Sequence, residues 1–417
     1  MINIIILEHN NPKEYILKEA KERGYRIIMV ANRYNLMFKK YMNENDVIII
    51  DVFDIQTVLD VTLSFIRKNK LKINAVGTSG DDLLVVATDL AVLLDCKNIG
   101  SSSARKTCCN KLAMRLCLER YKGINQPRFE TFNVFKNEKY ILDNFSKPCV
   151  IKPIFGTSSH GVLMIKDNNY NYSEVVKMIK STVNRDNRES FKRFSGDMVI
   201  EEYIPGKMIS LDGFVQNRKL IVIGSIEFIM GKEPYFTQVS SYISARLTKE
   251  EFSVAKKMLN LIIKRLGFEN TPFHAEFRLK DGTPYLIEIA GRIAGGFIHE
   301  TFNKVYGINI IGLMLDCWLG NNVDRVYKSK GVNFHTFIYP DIKTDSILDD
   351  INYANIKTHE NLWYFRQISQ KSDSLKSYPR MPTALYEYSI FSPNLLQIEK
   401  QKSKVESIIT YKIKNLI

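Results

Sequence analysis

His274-Ala275-Glu276-Phe277-Arg278-Leu279-Lys280-Asp281-Gly282-Thr283-Pro284-Tyr285-Leu286-Ile287-Glu288-Ile289-Ala290-Gly291-Arg292 is the stretch on which the reading of this chain turns. Two short alternating runs, His274 to Leu279 and Tyr285 to Ile289, flank Asp281-Gly282-Thr283, the signature of a β-hairpin. Register decides its chemistry. A three-residue loop centred on Gly282 sets Glu276 directly opposite Glu288 on one face, whereas a two-residue Asp-Gly loop shifts the pairing by one and separates them. If they are opposite, two like charges meet across a strand pair, which is unfavourable unless a cation or a proton lies between them. Hard oxygen ligands suit Mg²⁺, which takes one or two carboxylates and completes its shell with substrate phosphates. Arg292, just beyond the second strand, can point at the same anionic centre. The plain alternative is a surface hairpin carrying two solvated glutamates.

Upstream lies a second constellation, Lys152-Pro153-Ile154-Phe155-Gly156-Thr157-Ser158-Ser159-His160-Gly161. Gly156 and Gly161 have the glycine spacing of a P-loop, but Val162 follows where Lys-Ser/Thr is required, so this is not a Walker A site. Here a lysine on a strand precedes a loop that leads to another strand. Small residues let backbone N–H groups converge on phosphate oxygens, hydroxyls add donors, and the lysine neutralises an inner phosphate. An ordinary Gly/Ser hairpin is the alternative. Val199-Ile200-Glu201-Glu202-Tyr203-Ile204-Pro205-Gly206 is a strand broken at Pro-Gly, and it leaves backbone groups suited to an adenine edge. Acidic residues at strand ends are common, so this run says little alone.

The first hundred residues alternate strand and helix. Strands are expected at Ile2–Leu7, Tyr25–Val30, Asp46–Asp51 and Ile73–Thr78, with helices at Pro12–Arg23, Ile55–Lys68 and Asp81–Leu94. That rhythm implies a parallel sheet with helices on both faces, and no G-x-G-x-x-G follows the first strand to mark a dinucleotide site. After a loop at Gly100–Ser103, Lys111 falls in a helical run. Strands are expected at Val150–Pro153, Met198–Tyr203, Leu211–Val215 and Leu220–Phe228. A polar excursion at Asn168–Asn187 surrounds a helix, and Glu250–Leu266 is an amphipathic helix. Beyond about residue 320 the pattern is mixed, ending in a Lys-rich helix.

Composition narrows the class. At 417 residues two or three domains are expected. Apolar residues make up 45% and charged residues 25%, ordinary for a globular protein. The net charge of +14 invites a nucleic-acid reading, but the lysines are spread along the whole chain with no basic stripe interleaved with aromatics. A nucleic-acid interface is therefore not expected, while a generally positive surface attracts an anionic small molecule. Six cysteines without a CxxC or a regular framework, and no secretory signal, point to reduced thiols in a cytoplasm. No apolar run approaches the roughly 18 residues of a membrane span, and no membrane partner is expected.

In order and together, Lys111, Lys152 with its Gly/Ser loop, Glu201 to Ile204, and Glu276, Glu288 and Arg292 resemble the ATP-grasp superfamily. S-S-H-G-V, H-A-E-F and E-I-A-G-R-I-A-G-G are most similar to the carboxylate–amine ligases that join L-amino acids. The resemblance implies a doubly wound N-terminal domain (1–100), a two-part ATP-grasp domain (101–320, divided near 205) and a C-terminal α+β region (321–417). It implies that Lys111 and Lys152 contact the phosphates of ATP, that Ser158, Ser159, His160 and Gly161 belong to the loop closing over them, and that Glu201, Glu202 and Ile204 hold adenine. Glu276 and Glu288 are expected to bind two Mg²⁺ ions, which Mn²⁺ can replace, and Arg292 to face the transferred phosphoryl group and the acyl phosphate. Asp81 is a candidate grip for a substrate amine, or a helix N-cap; His274 is a candidate phosphate contact or a structural histidine. His299, Trp318 and Trp363 are expected in packing. The sequence departs from the family pattern at Met208, where a ribose-binding Glu is common, and at Ala290, where an Asn metal ligand is common. The activity implied is ATP-dependent amide formation between a small carboxylate and an amine, in a chain able to form a homodimer. The alternatives are an ATP-grasp carboxylase or carrier ligase, an inactive ATP-binding regulator and, from another class, a nucleic-acid-binding protein.

Overall fold

Four apolar runs near the N-terminus form a parallel sheet: β1 (Asn3–Glu8), β2 (Arg26–Ala31), β3 (Val47–Ile49) and β4 (Ala75–Thr78), in the order β3-β2-β1-β4. This computed structural model describes every residue except 9–13, 98–106, 108–109, 137, 157–158, 184–193, 354–355, 357–358, 360, 378–381 and 416–417. Ile5, Leu7 and Val30 pack under the helices Ile55–Lys68 and Leu84–Leu93. Ile4, Ile6 and Ile27 face the helix Glu14–Glu22. Burial on both faces explains why these strands read as continuous apolar runs rather than alternating ones, and the doubly wound expectation holds. The strand expected at Asp46–Asp51 is shorter, because Glu44–Asp46 is a 3₁₀ turn whose Asp46 carboxylate accepts from two nitrogens of Arg26, at 2.9 and 2.7 Å.

A second, antiparallel sheet holds β5 (Phe129–Asn133), β6 (Cys149–Pro153), β7 (Leu163–Ile165) and β8 (Asp197–Glu202), in the order β5-β8-β6-β7. The helix Tyr172–Val183 covers one face through Val175 and Ile179.

The remaining strands are β9 (Lys207–Gln216), β10 (Lys219–Met230), β11 (Gln238–Ile243), β12 (Thr271–Lys280), β13 (Thr283–Ala290), β14 (Val332–Ile338), β15 (Ser346–Asn352), β16 (Leu362–Gln367), β17 (Ser374–Leu375), β18 (Tyr386–Ser392) and β19 (Thr410–Asn415). Eight of them make one sheet, ordered β13-β12-β9-β10-β11-β14-β18-β16; β17-β15-β19 form a separate small sheet. Strands from the C-terminal region thus continue the sheet that begins at the opening hairpin. The Lys-rich helix, Leu395–Ile408, packs on β18 and is followed by β19.

The hairpin differs from its expected construction in an instructive way. Lys280 pairs with Thr283, so the loop is the two-residue Asp281-Gly282, with φ of 49° and 77°. Both residues in the left-handed region make the tight turn that matches strand twist, which is why Asp-Gly suits it. That loop alone would put the two glutamates out of step. A β-bulge between Glu276 and Phe277 corrects it: Phe277 pairs with Leu286 but Glu276 pairs with Glu288, leaving Ile287 as the extra residue. Leu286 and Ile289 consequently enter the core, while Ile287 and Glu288 both turn to the opposite face.

That core is supplied by the helix Lys249–Leu266, whose Ala255, Met258, Leu259, Ile262, Ile263 and Leu266 recur at helical spacing. Thr248 accepts from the Glu251 N–H at 3.1 Å and the Glu251 carboxylate accepts from the Thr248 N–H at 2.8 Å, a capping box; Gly267 ends the helix at φ 73°. The helix Ile310–Leu319 wedges between the N-terminal sheet and β9 and β12. Its Trp318 lies flat against Gly77, where a Cβ would come within 2.3 Å of the indole. Four described cysteines (Cys96, Cys117, Cys149, Cys317) are free thiols. No described helix is long and apolar enough to cross a membrane.

Candidate active site

The second sheet and the hairpin end of the eight-stranded sheet face each other across two adjoining cavities. The first, about 760 Å³, has Lys111, Lys152, Ser159 and Glu202 among its polar walls and Ile204, Met208, Met230 and Ile287 among its apolar ones. The second, about 1840 Å³ including its mouth, takes in Asp81, His274 and Arg292. Glu276, Glu288, Ser159 and His160 line both. Thr157 and Ser158 lie outside the described residues. Beside them Ser159 and Gly161 adopt φ of 56° and 71°, so the chain doubles back between β6 and β7.

Lys111 begins the helix Lys111–Leu118, capped by the Asn110 side chain on the Ala113 N–H at 2.8 Å. Its ammonium donates to the Gly156 carbonyl at 2.8 Å and lies 3.1 Å from the Glu288 carboxylate. One turn on, Arg115 is wholly buried and gathers three elements together. It donates to both Glu201 oxygens, at 3.0 and 3.1 Å, and to the Ile287 carbonyl at 2.8 Å. The contact to Ile287 falls on the bulged residue. Asn125 lies along the same free edge of β13, accepting from Leu286 N–H and donating to Pro284 O. The outer edge of the hairpin is therefore covered, as an edge strand requires.

Lys152 stands 2.6 Å from Glu201, and both are buried. Burial lowers the Lys152 pKa against the pull of Glu201. Burial works to raise Glu201, but Arg115 and Lys152 together hold its carboxyl below the usual range. The expectation put Glu201 at adenine with the backbone near Glu202 and Ile204; in the structure its carboxylate lies between Arg115 and Lys152 at the wall of the first cavity. Glu202, Tyr203 and Ile204 line the same cavity wall beyond it.

On the hairpin face, His274 bridges Asp212 (Nδ1, 2.7 Å) and Glu276 (Nε2, 3.1 Å). Ser210 donates to Asp212 at 2.6 Å. Burial disfavours the imidazolium, yet the two carboxylates raise the His274 pKa to about 10. Both ring nitrogens are thus engaged by protein. Arg292 places its Nε and one terminal nitrogen 2.8 Å from the same Asp81 oxygen and donates to the Ile293 carbonyl at 3.0 Å. Asp81 is accordingly turned onto an arginine rather than capping a helix. The helix Leu84–Leu93 has Leu83 at its N-cap with no side-chain cap, and Asp81 sits in the preceding 3₁₀ turn. Arg115 and Asp212 are the residues the sequence reading missed. Alternation along Ser210-Leu211-Asp212 put two polar groups on one face of β9 and was the available signal. His299 stacks on Tyr15 at 4.1 Å, and Trp363 stacks on Phe297 at 5.3 Å and donates to Asn333 at 2.6 Å. Both are packing residues, as expected, and so is Trp318.

The two facing sheets enclose the cleft between them. Residues 145–300 match the family model of the ATP-grasp domain. The chain is 28% identical over 217 residues to an alanine–anticapsin ligase of Bacillus subtilis (strain 168), covering 47% of this chain and 43% of that one. To a phosphoribosylamine–glycine ligase of Methanosphaera stadtmanae it is 27% identical over 270 residues, covering 61% and 54%. The chain thus spans about half the length of the curated relatives it matches. Among solved structures, the L-amino acid ligase from Bacillus licheniformis superposes with a TM-score of 0.80 at 21% identity, over 100% of this chain and 99% of that one. That likeness is one of fold.

Proposed function

We propose that the chain is an ATP-dependent carboxylate–amine ligase. The observation that carries this reading is the meeting of two cavities at one pair of opposed carboxylates, Glu276 and Glu288. Lysines approach from the first cavity and an arginine from the second. Among the described residues no cluster of three or more His, Cys, Asp or Glu could hold a metal. Two facing carboxylates suit a cation that completes its shell with phosphate oxygens, as Mg²⁺ does. Glu276 and Glu288 would hold two such ions, with Mn²⁺ as substitute, and bound there they would neutralise charge on the phosphoryl oxygens.

The chain's own residues then have distinct tasks. Ile204, Met208, Met230 and Ile287 give an apolar slot for a base, Lys111 and Lys152 meet phosphates, and the loop through Ser159 and His160 excludes water. Arg292 faces the acid substrate. A carboxylate oxygen attacks the γ-phosphorus, the bond to the bridging oxygen breaks, and ADP leaves. The nitrogen of a neutral amine then attacks the acyl carbon. It loses a proton, the bond from carbon to the phosphate oxygen breaks, and phosphate leaves. Such chemistry asks for positioning and charge neutralisation more than for a protein nucleophile.

The test is to incubate the protein with Mg-ATP and pairs of amino acids and measure phosphate release alongside new amide product. ADP formation dependent on both partners supports the reading. ATP turnover stimulated instead by bicarbonate, with no amide formed, would replace it with a carboxylase.

A further inference from the structure

The second cavity extends well beyond its charged groups, and its walls change character across the sheet. Its carboxylates and guanidinium, Asp81, Glu276, Glu288 and Arg292, gather at the β12–β13 end. Across β10, β11 and β14 the same cavity is walled by Phe228, His335 and Phe337, by Phe236 and Tyr339 next to those strands and by Phe297 ahead of the helix Ile298–Tyr306, with Thr237, Gln238 and Ser241 between them. His335 and Phe337 share one face of β14 because side chains alternate along a strand. In register, Ser241 of β11 and Ser389 of β18 flank His335.

The aromatic end is preorganised. Phe297 stacks on Tyr364 at 3.9 Å and on His335 at 6.0 Å, with rings within 30° of parallel. The His335 nitrogens are already engaged, Nδ1 with Ser389 at 2.9 Å and Nε2 with Glu387 at 3.3 Å. Glu387 in turn is held by the Tyr364 hydroxyl at 2.8 Å and by Arg366 at 2.5 Å. His335 therefore offers a visitor its ring rather than a donor or acceptor. Aromatic faces of this kind bind large apolar groups through offset or edge-on ring contacts. Phe228 stands two strand spacings from β12 and Phe337 stands four, roughly 10 and 19 Å in a flat sheet. That is room for two small molecules end to end, charged groups toward the hairpin.

We infer that one of the two substrates is an amino acid with a large apolar, aromatic-sized side chain, received by the wall of Phe228, His335, Phe337 and Tyr339. This inference rests on the ligase reading for its second substrate but not for its binding site, so binding and turnover are measured separately. Calorimetric titration of the full chain, with Mg²⁺ and a non-hydrolysable ATP analogue present, compares L-phenylalanine and L-leucine with L-alanine, L-aspartate and L-lysine. Phenylalanine is expected to bind at least about tenfold more tightly than alanine, one to two ring contacts' worth. Phe337→Ala should erase that preference; Phe337→Leu, which keeps an apolar side chain, guards against misfolding and should weaken phenylalanine while sparing leucine. Phenylalanine binding without amide formation with any partner upholds the wall and sinks the ligase reading. Equal binding of all five, or preference for the small or charged ones, overturns the inference whatever the turnover.

Discussion

A terminal nitrogen of Arg115 lies 2.8 Å from the carbonyl oxygen of Ile287, the one residue of the hairpin left out of the ladder. The same guanidinium grips Glu201. Helix, four-stranded antiparallel sheet and hairpin are thus pinned at one buried point, and Lys111 reaches Glu288 from the same helix. Replacing Arg115 by Met removes the pin and leaves Glu201 with Lys152 as its remaining cation. Breaking a buried pair typically costs about 3–5 kcal/mol. Denaturant unfolding should register a loss near the lower end, and the Mg²⁺ needed for half-maximal activity should rise. An unchanged unfolding midpoint together with an unchanged Mg²⁺ requirement would remove Arg115 from this role.

Glu288→Gln and Glu276→Gln keep shape and lose a charge from the proposed cation site. Each should weaken Mg²⁺ and cut turnover, with ATP binding in the absence of metal little affected. If either variant kept its metal titration curve, that carboxylate would belong to the wall and not to a ligand set.

Lys152→Ala deletes an ammonium expected at a phosphate, a charge-assisted contact worth about 1.5–3 kcal/mol. Affinity for ATP should fall by roughly 10- to 150-fold. Glu201 retains Arg115, so the fold should survive, and circular dichroism would check that. Normal ATP affinity in a folded variant rules the contact out.

Arg292→Lys preserves charge but loses the planar fork. An interaction that strengthens in the transition state lowers the barrier more than it tightens the ground state. By analogy with the loss of one oxyanion donor, kcat should drop roughly 10²-fold or more while ATP still binds. Because Arg292 also holds Asp81, thermal stability is measured in parallel. A stability loss with near-normal kcat would make it a brace between the N-terminal domain and the hairpin.

Gly77→Ala introduces a methyl group 2.3 Å from the Trp318 ring. Overpacking of this kind costs about 1–3 kcal/mol. A melting temperature equal to that of the parent would mean the indole can move aside.

What could be read from the sequence was local. Periodicity gave the doubly wound sheet, Asp281-Gly282 gave the hairpin, and a lysine before a Gly/Ser loop marked the opposite wall. The bulge was not legible, because apolar Leu286, Ile287 and Ile289 fit either register and the deciding contact comes from Arg115, 172 residues away. The pairing of Glu201 with Arg115 and Lys152 was not legible for the same reason, since it forms only in the folded chain. The aromatic wall was invisible too: β14 joins β11 across nearly a hundred residues, and nothing in the local pattern near His335 announces that pairing.

One continuous ladder runs from Glu288 to the far C-terminal strands, while Lys152 sits on a different sheet. Hydrogen-bonded strands keep their spacing, whereas two sheets meeting at a cleft can hinge. The gap between Lys152 and Glu288 is therefore set by side-chain contacts between two sheets, Arg115 on Ile287 and Lys111 on Glu288, rather than by one ladder. The interval from Glu288 to Phe337 is fixed instead by strand spacing within a single sheet.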